Sequence, residues 1–154
     1  MHASAKERHR VLNVMTTLLL KYPRLLRQPG AARLTAFERA VLSHLQTKLD
    51  TGASRVVSTQ VERINYVDRG PVPDGYSSLF ARISGIRIVP LSDELLERKE
   101  EFIIARCAVV AAGRQIAAVL RCTEGEVASL EFGDDVSTFQ ALSRPEVDTQ
   151  VRLI

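Results

Sequence analysis

The sequence predicts an α+β fold: two N-terminal helices packed on a mainly antiparallel sheet of five to seven strands, with one short helix inserted among the strands. Three observations carry this. Apolar residues recur at helical spacing before residue 50. β-branched and aromatic residues dominate after it. Within residues 101–132, EFIIARCAVVAAGRQIAAVLRCTEGEVASLEF, dense apolar runs are separated by tight glycine turns. That stretch reads as three strands, Phe102 to Val110, Gln115 to Cys122 and Val127 to Phe132, turning at Ala112-Gly113-Arg114 and at Thr123-Glu124-Gly125-Glu126. It is taken as the centre of the sheet.

The elements follow in chain order. Ser4 with Glu7 has capping-box spacing, and Val11, Val14, Met15, Leu18, Leu19 and Tyr22 then form one stripe of a first helix that Pro23 ends near Lys21. The second helix starts after Pro29 or at Thr35, where Thr35 and Glu38 repeat the capping pattern. Leu34, Phe37, Val41, Leu45 and Leu49 form its apolar face, and Asp50-Thr51-Gly52 reads as its stop. Residues 54–68, rich in Val, Ile and Tyr, read as a long strand with a bulge where the apolar parity shifts between Val61 and Ile64. Gly70 to Gly75 is a loop, and Tyr76 to Ser84 with Ile86 to Leu91 is a hairpin around Ser84-Gly85. Ser92 caps a short charged helix from Asp93 to about Glu100. Ser137 to Leu142 is assigned to an edge strand or turn, and 143–154 to a tail. All of it forms one domain, residues 1–154, with a helical part over 1–52 and a sheet part over 54–142.

Length and composition suit this reading. A chain of 154 residues with 45% apolar and 25% charged residues can bury a sizeable core. The N-terminal segment lacks the cleavage site of a signal peptide and no run is long enough to span a membrane, so a cytoplasmic location is expected. Cys107 should oppose Ala118, and Cys122 should oppose Ile103. In that register the two thiols do not pair, and both are expected to be reduced and buried.

The net charge of +3 conceals an asymmetry: residues 1–55 carry net +7 and residues 56–154 net −4. His2, His9 and His44 fall in no metal-ligand spacing, and no phosphate-cradling glycine motif occurs, so no cofactor is implied and no catalytic set is assigned. The feature that draws attention is acidic. Glu124, Glu126, Glu131, Asp134 and Asp135 fall within twelve residues, with no Lys or Arg from Glu124 to Asp135. Turns accommodate acids readily, so a solvated rim is one reading. A surface for a protein partner, approached through complementary charge, is the functional one. Two alternatives belong to other classes. One is a metal-dependent hydrolase or nuclease built on the Glu124–Asp135 carboxylates, with Glu124, Glu126 and Asp134 around the cation. The other is a nucleic-acid-binding module using the basic N-terminal helices, although their Lys and Arg residues are spread around both helices.

A small α+β chain ending in a sheet, with the text Gly125-Glu126-Val127-Ala128-Ser129-Leu130-Glu131-Phe132, resembles the bacterial immunity proteins made beside contact-dependent and other polymorphic toxins. The resemblance covers the C-terminal third. It implies a non-enzymatic cytoplasmic protein that binds and neutralises a toxin, such as a nuclease with a basic surface, through Glu124, Glu126, Glu131, Asp134 and Asp135. Immunity proteins against nucleases are often acidic, whereas this chain is net basic.

Overall fold

The computed structural model describes residues 33–85 and 87–154. The first helix expected from Ser4 to Lys21 lies outside the described residues. Helix α1, Ala36–Gln46, begins where the Thr35 signal places it. The Thr35 hydroxyl accepts from the Glu38 amide and the Glu38 carboxylate accepts from the Thr35 amide, which completes a capping box. Its buried face is Phe37, Val41, Leu42 and Leu45.

The next element corrects the sequence reading. Thr51–Glu62 is a helix, α2, rather than the start of a strand, and Asp50 is its N-cap, accepting from the Ala53 amide at 2.8 Å. Asp50-Thr51-Gly52 therefore opens a helix instead of closing one. The residues that suggested a strand sit at helical spacing on one buried face: Val56, Val57, Gln60 and Val61. Burial of that face outweighs the modest β-propensity of valine and threonine. The parity shift after Val61 marks the helix end at Arg63, not a bulge.

The sheet begins with β1, Tyr66–Val72, followed by β2, Gly75–Ser84, and the short β3, Arg87–Val89. The short charged helix expected from Asp93 to about Glu100 is absent; that segment is an irregular loop. Strands β4, Phe102–Ala111, β5, Arg114–Thr123, and β6, Glu126–Phe132, agree with the expected meander to within a residue or two. A 3-10 helix, Ser137–Ala141, replaces the expected edge strand or turn. The tail holds helix α3, Arg144–Gln150, and strand β7, Arg152–Leu153.

The fold is α+β with a seven-stranded antiparallel sheet in the order β1-β2-β6-β5-β4-β7, and β3 pairs with the far end of β2. Cys107 opposes Ala118 as expected, while Cys122 opposes Phe102 because a bulge between Ile103 and Ala105 shifts the register by one. Both cysteines are buried and free. Burial alone pushes the Cys122 thiol up to about 12.

The two sheet faces differ. The inner face, including Val109, Ile116, Ala118, Leu120, Leu130 and Phe132, packs under the helices. There Phe37 stacks on Phe132 and meets Phe139, both at 5.4 Å between ring centres. On the outer face a second cluster joins Tyr66, Leu79 and Ala81, with Ile83 and Ile88 against it. On the β4–β5 half of that face, Arg106, Gln115 and Ala117 are exposed and Ala108, Val110 and Val119 are half-buried. Among the described residues, no helix is long and apolar enough to cross a membrane.

Candidate functional site: a divided acidic rim

The five acids adjacent in sequence do not form one patch. Strand β6 separates them: Glu124 and Glu126 lie at the β5–β6 turn, whereas Glu131, Asp134 and Asp135 lie at the strand's other end. At about 3.3 Å per residue, Glu126 and Glu131 are roughly 16 Å apart along the strand. Glu124, Glu126 and Asp134 thus do not converge on one cation, which corrects the hydrolase alternative. Among the described residues, no group of three or more His, Cys, Asp or Glu is placed to hold a metal.

The far end is balanced by the protein's own arginines. Arg121 on β5 donates to Glu131 at 2.7 Å and lies 3.7 Å from Glu101. The bond to Glu131 is the main reason the guanidinium pKa is raised. Arg114 donates to Asp134 at 2.9 Å, with both side chains about half exposed. Asp135 accepts from the Ser137 amide at 2.8 Å, and hydrogen bonding to Ser137 holds its carboxyl below the usual range. The stretch from Glu124 to Asp135 is free of basic residues, but antiparallel pairing brings arginines from the neighbouring strand to it.

The near end gathers charge instead. The loop between β3 and β4 packs over the β5–β6 turn through backbone bonds: Leu96 N–H donates to Gly125 O at 2.9 Å, and Glu124 N–H donates to Lys99 O at 2.7 Å. Gly125, at φ +78°, makes the approach possible; a Cβ there would lie 2.9 Å from Leu96 O and 3.0 Å from Leu95 Cβ. The Glu126 carboxylate accepts from the Leu91 amide at 2.9 Å. Beneath the turn sits Gln60 of α2, fully buried. Its amide nitrogen donates to Glu94 O at 3.1 Å and Gly125 O at 3.0 Å, and its carbonyl accepts from Val127 N–H at 2.8 Å.

This clamp joins the acids of two segments. Asp93, Glu94, Glu97, Glu100 and Glu101 of the loop stand with Glu124 and Glu126 of the turn, against Arg55, Arg98 and Lys99, with Arg121 shared between Glu101 and Glu131. Asp93, Glu97, Glu100 and Glu101 are exposed, while Glu124 and Glu126 are half-buried. The Glu100 carboxyl is held below its usual range, first by a backbone hydrogen bond and then by Arg98. The loop acids were missed in the sequence because SDELLERKEE reads as a self-contained capped helix. The available signal was its acid density alone.

A second polar centre was only half legible. Glu38, fully buried, accepts from Arg69 Nε at 2.7 Å, Arg69 Nη2 at 2.6 Å and Ser78 Oγ at 2.7 Å, as well as from the Thr35 amide. Arg69 Nη2 also donates to Arg33 O, and Thr35 Oγ1 donates to Gln140 Oε1. Every oxygen of the carboxylate is taken up by the fold's own donors, so this centre holds α1 to β1 and β2.

No protein-family model, no curated protein and no solved structure matches this chain.

Proposed function

We propose that the chain is a non-enzymatic binding protein that presents its acidic end to a basic protein partner and blocks that partner's working surface. The observation that carries the proposal is the convergence of the 92–101 loop on the β5–β6 turn, which concentrates seven carboxylates at one end of the sheet. A charge field of one sign speeds encounter with an oppositely charged protein and disfavours others. The partner class, a toxin neutralised in the cytoplasm of the producing cell, is supported by the resemblance to immunity proteins.

The five acids first singled out take unequal parts. Glu124 and Glu126 belong to the acidic end. Glu131 and Asp134, paired with Arg121 and Arg114, contribute less net field, while Asp135, accepting from the neutral Ser137 amide, keeps its charge. The test is co-expression with a toxin gene lying beside this one in its genome, together with association rates measured over a salt series. Growth rescue and a salt-sensitive association rate are expected, both lost on Glu97→Lys, Glu100→Lys and Glu124→Lys together. Reversal of Asp134 and Asp135 should change the rate less. Rescue that survives the first triple reversal refutes the assignment.

A further inference from the structure

The outer face of β1, β2 and β6 is buried more deeply than its neighbours in the sheet account for. Ser78 reaches Glu38 on the inner side, so alternation sets Ser77, Leu79 and Ala81 outward on β2. The registers place Tyr66 beside Ala81, Asp68 beside Leu79, and Ser129 of β6 on the other side of Leu79. Tyr66, Ser77, Leu79, Ala81 and Ser129 are only 2% to 9% exposed. Burial first, and then Asp68, push the Tyr66 phenol above its ordinary value.

Side chains on a strand stand roughly perpendicular to the sheet, so in-plane neighbours shield their flanks and leave their tips to solvent. The apolar cluster on this face draws on β1, β2 and β3 alone. The buried apolar residues of the described helices, the 3-10 turn and the 90–101 loop all belong to the inner cluster instead. Across the same outer face, Arg106, Gln115 and Ala117 are exposed, although they too have neighbours on adjacent strands. A layer over the β1–β2–β6 half alone would close the buried tips and leave the others open.

From this contrast we infer that the N-terminal segment, residues 1–32, docks the apolar stripe of its predicted helix on the outer face of β1, β2 and β6. Size, reach and charge agree. The buried patch is three strands wide, about 10 Å, and about 20 Å long from Ser77 to Ile83, close to the footprint of one helix about 10 Å across. The helix predicted from Ser4 to Lys21 would be about 27 Å long, with Val11, Val14, Met15, Leu18, Leu19 and Tyr22 on one stripe. Arg33, where the described chain begins, has its carbonyl bonded to Arg69 of β1, the edge strand of this half. Residues 22–32 can span up to about 35 Å, more than the roughly 20 Å round that edge between layers about 10 Å apart. The segment carries six Lys and Arg against one acid, net +5. Asp68 lies within the patch, and Glu124 and Glu126 stand at the end of β6 that borders it. The exposed half presents Arg106 and Arg121, of the segment's own sign.

The test is thiol labelling of the full chain. Ser77→Cys should react with a disulfide reagent roughly tenfold or more slowly than Ala117→Cys on the exposed half. Leu18→Asp with Leu19→Asp should bring the two rates together, while buried Cys122 stays unlabelled and so reports an intact core. Should Cys122 label in that variant, oxidative trapping in the otherwise wild-type chain decides. Leu18→Cys should then form an intrachain disulfide with Leu79→Cys or Ala81→Cys, and none with Ser43→Cys, which is exposed on α1. Rapid labelling of Ser77→Cys in the full chain, or protection untouched by the Leu18 and Leu19 substitutions, would overturn the inference. So would trapping at Ser43, no trapping at all, or a disulfide joining two chains, which would give the face to a second copy.

Discussion

Replacing Arg69 with alanine is expected to destabilise the fold by about 3–5 kcal/mol, because it strands a buried carboxylate rather than merely deleting a bridge. Glu38 is fully buried and Arg69 is 14% exposed, so little solvent is available to take the place of the guanidinium. Ser78 Oγ and the Thr35 amide would remain as donors, which keeps the loss below the cost of a wholly unpaired ion. In urea the midpoint should fall by about 1.5–2.5 M at an ordinary slope for a domain of this size. The sign of the rescue decides the mechanism. Glu38→Gln preserves a capping-box partner for Thr35 but carries no charge, so Glu38→Gln with Arg69→Ala should be more stable than Arg69→Ala alone. A loss below about 1 kcal/mol for Arg69→Ala would make this an ordinary surface pair. A double variant less stable than the single one would show that bridging geometry, not buried charge, is what Arg69 supplies.

Three further outcomes are expected. Gln60→Leu should cost about 2 kcal/mol or more, since it leaves the Val127 amide without its acceptor and the Glu94 carbonyl without its side-chain donor, and takes from Gly125 O one of its two donors, Leu96 N–H remaining; loss of protection of the Val127 amide in hydrogen exchange is the specific readout. Cys122, with its thiol pushed up to about 12, should have a thiolate fraction at pH 8 roughly a thousandfold below that of a free cysteine, so a disulfide reagent should label it only after unfolding. Rapid native labelling would contradict its burial. Glu146 has its carboxyl held below the usual value by hydrogen bonds from Ser143, so it supports the folded state above the ordinary carboxylate range, near about 4.3, and loses that contribution as pH falls through its lowered folded value. Glu146→Gln should flatten the acid limb of α3 amide protection, and an unchanged limb would refute the assignment.

What could be read from the sequence was what local chemistry decides. The meander of β4, β5 and β6 was legible because dense apolar runs and glycine turns state both strand and register, and Cys107 opposite Ala118 followed from the turn alone. Helix α2 was not, because its Val-rich face satisfies a strand pattern nearly as well as a helical one, and the deciding contact is Gln60 with residues 34 to 67 positions away. The inserted helix failed for the opposite reason. Its capping signal was sound, and Ser92 Oγ does accept from the Glu94 amide at 3.1 Å, but Leu96 N–H bonds to Gly125 rather than back into a helical turn. The acidic cluster was misjudged at its far end, where the Arg121 partner of Glu131 comes from the next strand. Carrying the register through the second turn would have placed Arg121 beside Ser129 and Glu131.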